Sequence, residues 1–264
     1  MAGAVSSIGR RTPARRQIVE LVLHLAKRQL DSQHRLSLLG WLWPLARQLT
    51  QLGVLVFVFS NVLDLGIENF ALFVFSGLLL WSWFAAAVTA ATTVLLSQRH
   101  LVQSPRFPAI ALPLVAVAVP LADLLIGLPV LGALLIFEGE LHLTAFLLPL
   151  LLVLEFAFLA GVALLVSVGN VYARDVQGIV SVGTLLLFYL TPVFYGLRVV
   201  PERFRLVLEL NPLTHFIEGA RALLIEGRLP DMASVAYLLV LSGGLFVGGI
   251  WLFRRAEAGM VDRV

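Results

Sequence analysis

The sequence has no cysteine and only one lysine, Lys27, in 264 residues. Without cysteine, disulfides, thiol catalysis and cysteine-ligated metal sites are excluded. The lysine lies between Ala26 and Arg28, whereas a nucleotide-binding P-loop needs glycine before its lysine and serine or threonine after it. H-E-x-x-H and G-x-S-x-G motifs are absent, and the five histidines lack metal-ligand spacing. We therefore expect no catalytic residue, no metal site and no cofactor on this chain.

Charged residues are also scarce, at 13% of the chain, while hydrophobic residues make up 59% and the mean hydropathy is +0.95. A soluble chain of this length needs more charged surface than that. Residues 70–96 contain no charged side chain, and a run of about 20 apolar residues already spans a bilayer as a helix. The basic pI reflects charges at the ends of such runs, so we expect no nucleic-acid partner.

Six apolar runs predict six transmembrane helices, at 45–64, 70–96, 109–137, 143–169, 178–197 and 233–253. Three prolines, Pro113, Pro120 and Pro129, predict that the third helix is bent or broken. The expected fold is an all-α integral membrane protein that also has an N-terminal interfacial helix and an extracytoplasmic helical hairpin between spans 5 and 6. Its three parts are a cytoplasmic segment 1–44, a transmembrane domain 45–253 and a cytoplasmic tail 254–264.

Positive charge predicts the orientation of these spans. Fourteen of the 19 basic residues fall on the side that carries both termini, and the other five lie between Arg198 and Arg228. The positive-inside rule therefore places both termini in the cytoplasm. The segment from Arg198 to Arg228 also contains acids and is nearly neutral, so it can cross the membrane despite its arginines. No cleavable signal peptide is visible at the N-terminus.

Residues 15–31 predict an amphipathic helix in the inner headgroup layer, with Ile18, Leu21, Val22 and Leu25 on its apolar face. Such a helix anchors the chain, and the alternative that it also contacts a cytoplasmic partner remains open.

A second amphipathic segment, within 198–230, predicts two short helices that are separated at Asn211-Pro212. Apolar side chains share one face of the second helix: Leu213, Phe216, Ile217, Ala220, Leu223 and Leu224. We expect Thr214, Glu218 and Arg221 on the opposite side, with Glu218 and Arg221 spaced as an ion pair. The hairpin is either a lid on the bundle or an extracytoplasmic gate.

Two acids, Asp123 and Glu155, fall within predicted spans, where a carboxylate is costly and is by default a functional candidate. They could form a proton relay or bind a cation, or each could hydrogen-bond a neighbouring helix. With Arg47 assigned to the cytoplasmic side, we expect no intramembrane Lys or Arg to pair with them.

Five local strings carry a resemblance to a known family: HRLSLLGWLWPL (34–45), SPRFPAIALP (104–113), NVYARDVQ (170–177), TPVFYG (191–196) and NPLTHFIEGAR (211–221). In this order the chain resembles the permease subunit of type-2 ABC transporters, in the branch that exports O-antigen, capsule and teichoic-acid polysaccharides. The resemblance implies a homodimer in the bacterial cytoplasmic (inner) membrane, two separate ATPase subunits that bind ATP and Mg, and a lipid-linked glycan as cargo.

The resemblance also implies roles for particular residues. Contacts with the ATPase are expected from Arg99, Leu101, Arg106, Phe107, Pro108, Arg174 and Asp175. The outer gate is expected to include Asn211, Pro212, Phe216, Glu218 and Arg221. Because a glycan path needs aromatic and hydroxyl side chains, we expect its lining to include Trp81, Trp83, Tyr189, Thr191, Phe194 and Tyr195. Trp81 and Trp83 are two residues apart on a helix, so at most one of them can face a pore.

Other functions stay open at this point. A type-2 ABC permease for drugs, lipids or small ions would share the same topology. An integral membrane enzyme acting on lipid-linked substrates would need convergent polar groups, for which Glu202, Glu209, His215, Glu218 and Arg221 are the candidates. A pure scaffold protein would leave the hairpin and the intramembrane acids without a role.

Overall fold

The computed structural model of the chain describes residues 15–34, 40, 42–61, 66–67, 69–104, 107–260 and 263. These residues form α-helices and two short 3-10 helices, Leu143–Leu147 and Leu197–Val199, and no strand occurs among them. In chain order the α-helices are α1 (Arg15–His34), α2 (Leu42–Asn61), α3 (Phe70–Ser97), α4 (Arg99–Val102), α5 (Ala111–Glu138), α6 (Leu148–Tyr172), α7 (Asp175–Leu190), α8 (Glu202–Glu209), α9 (Pro212–Leu224) and α10 (Met232–Met260). The all-α prediction is confirmed for the described part of the chain.

Five helical segments are long and apolar enough to cross a membrane: Leu42–Phe59, Phe70–Ser97, Ala111–Glu138, Leu143–Tyr172 and Met232–Met260. They coincide with five of the six predicted spans, although their ends are shifted and residues 62–64 of the first lie outside the described part. The predicted span 178–197 instead overlaps α7, which has 16 residues and ends at Leu190. Such a helix is about 24 Å long, whereas the hydrocarbon core is about 30 Å thick.

The helix α7 runs antiparallel to α3, together with the non-helical segment 191–196 that follows it. A groove lies between these two helices, and it is lined by Gln177 near the start of α7 and by Thr93 near the end of α3. Further along α7, the rings of Phe188 and Trp81 are 5.4 Å apart. Beyond the end of α7, the carbonyls of Pro192 and Phe73 both accept hydrogen bonds from the side chain of Arg221. The two segments therefore follow α3 over most of its length.

The helix α3 packs against α2, α5, α6, α7 and α9, so it lies at the centre of the bundle. Its neighbour α5 continues through Pro120 and Pro129, so of the two predicted outcomes, a bend or a break, the break does not occur. The side chains of α3 support α5 in this region, where the indole Nε1 of Trp83 donates a 3.0 Å hydrogen bond to the Val117 carbonyl. The prolines remove two backbone donors but do not end the helix.

The predicted interfacial helix is present as α1, and it packs along α5. Val22 and Ala26 are buried against Ala111, Val115 and Val119. The other residues of the predicted apolar face, Ile18, Leu21 and Leu25, are partly buried in the same cluster. The amphipathic pattern of the sequence thus identified the face that α1 buries.

The helices α6 and α10 are parallel, and their backbones approach each other closely. Gly161 lies against Leu245, and further along both helices the Tyr172 hydroxyl donates a 3.4 Å hydrogen bond to the Ala256 carbonyl. Gly249 on α10 lies against the Gly161 carbonyl. Small residues let helix backbones come this close, as is common between membrane helices.

A second apolar cluster joins the C-terminal ends of α3, α6 and α10 to the loop after α3. It contains Leu95, Val102, Ala109, Val171 and Phe253. Since these ends come together, α4, the start of α5 and the start of α7 all lie at one end of the bundle. We call this the α4 end.

Candidate functional site

A polar groove of about 470 Å³ lies between α3 and α7. Its polar lining consists of hydroxyl and amide side chains, namely Gln51, Thr89, Thr92, Thr93, Gln177, Ser181 and Thr184. We call it the hydroxyl groove. Trp81 and Phe188 form an aromatic wall, and none of its described lining residues is charged. Hydroxyl and amide groups both donate and accept hydrogen bonds, and Val180, Leu185 and the aromatic wall add apolar surface, so the groove can hold an uncharged chain with both polar and apolar parts.

Of the predicted path residues, only Trp81 lines the hydroxyl groove. The groove residues on α7, Gln177, Ser181 and Thr184, were missed, although their spacing of four and three residues places them on one helical face. That periodicity was a usable signal. The stripe carries no charge and no aromatic ring, so it stands out little from the apolar residues around it.

The other predicted path residues lie elsewhere. Trp83 is buried and bonded to α5, although both it and Trp81 line a cavity of about 240 Å³ beneath α2. Tyr189 is exposed on α7, and the Tyr195 hydroxyl donates a 3.0 Å hydrogen bond to the Tyr189 carbonyl. The Phe194 ring stacks on Phe59 of α2 at 5.1 Å, joining the segment after α7 to the first span.

Thr191 lies inside the bundle, and its role in a substrate path stays a prediction. Its side chain is fully buried, and its hydroxyl donates a 2.6 Å hydrogen bond to the Leu187 carbonyl. The same oxygen accepts a 2.8 Å hydrogen bond from the Asn211 amide. The Oδ1 atom of Asn211 caps α9 by accepting a 3.1 Å hydrogen bond from the Leu213 backbone N–H. Asn211 therefore ties the start of α9 to the end of α7.

Arg221 is the most extensively bonded side chain of α9. It is 2% exposed, which corrects the prediction that it lies on the polar side of an amphipathic helix, and Thr214 is likewise buried. Its guanidinium donates at 2.7 Å to the carbonyls of Pro192 and Val193, and at 3.2 and 3.3 Å to that of Phe73. The predicted pair with Glu218 is confirmed at 2.7 Å.

The guanidinium of Arg221 also lies 3.4 Å from the centre of the Phe73 ring. Burial lowers the pKa of Arg221 to about 10, while the nearby Glu218 acts in the opposite direction. At neutral pH the group is therefore still charged. Its planar fork of donors joins α9, α3 and the segment after α7 at the end of the bundle away from α4.

The remaining predicted gate residues have structural contacts. Pro212 occupies the first turn of α9, and Phe216 is fully buried with its ring 5.7 Å from that of Phe158 on α6. The groups proposed for an integral membrane enzyme do not converge. His215 contacts the Glu209 carbonyl at 2.6 Å and the Ser234 hydroxyl at 3.0 Å, so its ring nitrogens are engaged in packing the hairpin.

Asp123 has a basic partner. Its carboxylate lies 3.7 Å from the guanidinium of Arg47, which belongs to α2 and not to the preceding segment. This corrects the expectation that no arginine or lysine within the spans can pair with the intramembrane acids. The sequence alone could not assign the pair, because it joins two helices that are distant along the chain.

Glu155 on α6 is 0% exposed, and neither of its carboxylate oxygens has a hydrogen-bond partner among the described residues. We predict that Glu155→Met stabilises the bundle, because an unpaired buried polar group costs about 1–3 kcal/mol. Thermal unfolding in detergent would measure the shift, with Glu155→Gln as the polar control of similar size. If Glu155→Met folds normally but no longer supports transport, the carboxyl has a functional role, as in a proton relay.

The residues predicted to contact an ATPase cluster at the α4 end. Arg99, Arg174 and Asp175 are exposed, whereas Leu101 and Phe107 are partly buried against the apolar cluster of that end. Pro108 lies beside them with intermediate exposure, and Arg106 lies outside the described residues. Their role in coupling stays a prediction.

These features define a multi-pass helical membrane protein with a polar groove in the bundle and no convergent catalytic cluster among its described residues. Residues 20–225 match the family described as ABC-2 type transporter, and the chain belongs to this family. Its members are membrane permeases that use ATP through a partner ATPase subunit, and the matched residues are not a nucleotide-binding domain.

Curated relatives match almost the whole chain. A protein of Myxococcus xanthus named O-antigen export system permease protein RfbA is 32% identical over 244 residues, which cover 90% of this chain and 93% of the relative. Two proteins of Klebsiella pneumoniae with the same name are 27% and 28% identical, each over 91% of this chain and 93% of the relative.

Proposed function

We propose that this chain is the permease subunit of an ATP-driven exporter that moves a lipid-linked polysaccharide from the inner leaflet across the bacterial cytoplasmic membrane. The observation that carries the proposal is the likeness, over about nine-tenths of the chain, to relatives named O-antigen export permeases. The hydroxyl groove is compatible with it, because its uncharged lining offers hydroxyl and amide groups beside the aromatic surface that a sugar ring can contact.

The test is to express the chain with an ATPase subunit encoded beside its gene and to purify the complex. ATPase activity in lipid nanodiscs should rise when a lipid-linked glycan is added. The matched control is the same polyprenyl carrier without sugars. Stimulation by hydrophobic drugs or by phospholipid alone, with none by the glycan, would favour the alternative permeases over this proposal.

In this proposal the chain has six transmembrane segments and both termini in the cytoplasm. The segment added to the five long helices is α7 extended by residues 191–196, which comes fifth in chain order. The path of this segment along α3 supports a full crossing. The α4 end then faces the cytoplasm, which agrees with the positive-inside distribution of the basic residues. The hairpin of α8 and α9 lies at the outer face, where its bonded position beside α3 and α7 suits a gate.

A homodimer with two ATPase subunits completes the assembly we propose. The outward faces of α2 and α7 carry exposed apolar side chains: Val54, Phe57, Ile179, Val182 and Leu186. The hydroxyl groove lies next to these faces. A second copy packed against them about a twofold axis would enclose the groove, whereas one chain of this size is too thin to enclose a wide conduit.

Coupling to the ATPase is testable at the α4 end. We predict that Arg99→Glu combined with Arg174→Glu reduces glycan-stimulated ATPase activity at least about tenfold, because charge reversal in a docking surface costs several kcal/mol. Both side chains are exposed, so folding should be unchanged. These positions test coupling more specifically than Leu101 and Phe107, because substitutions at those two residues would also disturb the apolar cluster.

The matched control is Arg203→Glu, an exposed arginine on α8 in the hairpin. It should leave the ATPase complex intact. If the double variant copurifies with the ATPase and is stimulated normally, this end of the bundle is not the coupling surface.

A further inference from the structure

The helix α10 is longer than a bilayer is thick. Its 29 residues span about 43 Å, whereas the hydrocarbon core is about 30 Å thick. Near the α4 end, the exposed ring of Trp251 lies 5.5 Å from the Arg255 guanidinium, and aromatic and basic side chains are both typical of the membrane interface. Met260 lies about 13 Å further along the helix, which exceeds the roughly 5–8 Å of the headgroup layer. The last turns of α10 therefore project beyond the lipid.

This projecting part of α10 is fixed to the bundle. Met260 is 0% exposed and belongs to the apolar cluster of the α4 end, together with Val102 of α4. Tyr172, the last residue of α6, lies against it. Its hydroxyl donates to the Ala256 carbonyl at 3.4 Å, and a Cβ at Gly259 would lie 3.0 Å from the same hydroxyl. We call residues 256–260 together with Arg263 the α10 foot.

Arg263 is held in place at the surface of the foot. Its guanidinium lies 4.7 Å from the centre of the Tyr172 ring, and its backbone N–H donates a 3.0 Å hydrogen bond to the Met260 carbonyl. An exposed arginine otherwise carries about 2 kcal/mol of rotamer entropy, which it loses when it binds a partner. Stacking on a ring restricts the side chain but leaves N–H donors available for a carboxylate. No carboxylate of the described residues forms an ion pair with it. Arg263 is thus preorganised to bind an acidic group.

The surroundings of the foot indicate what carries that acidic group. Tyr172 comes directly before the turn with Arg174 and Asp175, which are exposed at the same end of the bundle, as is Arg99. Three arginines against one aspartate leave this surface positive, so an acidic protein surface complements it. Anionic lipid headgroups lie at the level of Arg255 rather than at the level of the foot.

We propose that the α10 foot is a contact surface for the ATPase subunit, and that Arg263 binds a carboxylate of that subunit. Tyr172 is the positioning residue, because its ring holds Arg263 beside the turn that carries Arg174. The inference rests on the proposed function, which places the ATPase at the α4 end. A displacement of the ATPase would then reach α6 and α10 directly through the foot, in addition to α7.

The first experiment measures the affinity of the ATPase for the full chain in nanodiscs. We expect Arg263→Glu to raise the Kd about tenfold or more, because like charges in a docking surface repel each other. Ala258→Trp adds bulk to an exposed position of the foot and should raise the Kd by a similar factor. Arg203→Glu and Ala233→Trp are the matched controls. Both positions are exposed at the other end of the bundle, so the Kd should be unchanged.

The second experiment tests Tyr172 as a positioning residue. Tyr172→Phe keeps the ring and should bind the ATPase like the unmodified chain, whereas Tyr172→Ala should raise the Kd severalfold. In the Arg263→Glu background, Tyr172→Ala should add little to the loss, because the ring then has no arginine to hold. A merely structural tyrosine would give losses that multiply, and that result would remove Tyr172 from the proposal.

The composition of the nanodisc separates a protein partner from a lipid partner. We expect the effect of Arg263→Glu to be the same in phosphatidylcholine alone and in mixtures with anionic phosphatidylglycerol, and Arg255→Glu at the interface to leave the Kd unchanged. An effect of Arg263→Glu that appears only with the anionic lipid would mean that this arginine binds lipid, and the proposal would fail.

An unchanged Kd for both Arg263→Glu and Ala258→Trp would also overturn the foot as a contact. The glycan-stimulated ATPase activity of the unmodified complex distinguishes this failure from that of the proposed function. Stimulation together with unchanged Kd values would keep glycan export and discard the foot. Raised Kd values without any stimulation by the glycan would keep the foot and count against glycan export.

Discussion

Arg221→Met is expected to abolish transport and to destabilise the bundle by at least about 2 kcal/mol. The guanidinium donates to the carbonyls of Phe73, Pro192 and Val193. The Phe73 carbonyl keeps the Ser76 hydroxyl as a donor, whereas the other two would have no donor left among the described residues. An unsatisfied buried acceptor costs about 1–3 kcal/mol, and two of them are created here. Met has a similar length and keeps the apolar contact with the Phe73 ring, so the loss reports on hydrogen bonds rather than on volume.

Thermal unfolding of the purified chain in detergent measures this loss, and glycan-stimulated ATPase activity measures its consequence. Arg221→Lys should be almost as harmful, because an ammonium group cannot reproduce the planar fork of donors. Arg228→Met is the matched control, since Arg228 is exposed just beyond α9 and should change stability by less than about 0.5 kcal/mol. A stable, active Arg221→Met would show that the hairpin does not depend on this arginine.

Gly161→Leu is expected to prevent assembly of the bundle, and even Gly161→Ala should be destabilising. A Cβ at this position would lie 2.5 Å from the Leu245 backbone carbon and 2.7 Å from its carbonyl oxygen. The clash is with backbone rather than with a flexible side chain, so α10 would have to move away from α6. Overpacking of this kind costs about 1–3 kcal/mol for one methyl and more for a larger group.

Gly248→Ala on α10 is the matched control, because a Cβ there has no neighbour within 4 Å. Replacing a helical glycine by alanine in open space should stabilise by up to about 1 kcal/mol. The two Gly→Ala variants are thus expected to shift the unfolding temperature in opposite directions. Shifts of the same sign would mean that α6 and α10 do not pack through Gly161.

Much of the fold was predictable because the relevant signal is local. An apolar run such as 70–96 leaves its backbone no partner except its own helix in lipid, so length and hydropathy predict α3. The apolar face of α1 and the break at Asn211-Pro212 followed in the same way from helical periodicity and proline chemistry. The i,i+3 pair of Glu218 and Arg221 was predictable too, since both residues lie on one helix.

The candidate site was predictable only in part, because it is assembled from separate helices. Trp81 was identified as a path residue, but the polar stripe on α7 that faces it was not. Thr191 was predicted to line the path and Arg221 to lie opposite the apolar face of α9, yet both are buried, and backbone carbonyls and Asn211 are their partners. Nothing in local sequence indicates which carbonyls will be left free at the end of a distant helix.

By itself the sequence determined that this is a multi-pass helical membrane protein without thiol chemistry or a P-loop, and its ordered motifs identified the family. Those properties depend on composition, run length and short spacings, which do not change when the chain folds. Only the tertiary structure decided that Arg47 pairs with Asp123, that Arg221 joins three segments, and that Asn211 links the start of α9 to Thr191. The reason is physical: hydrogen bonds, ion pairs and cavities depend on which helices become neighbours, and helix packing makes that choice.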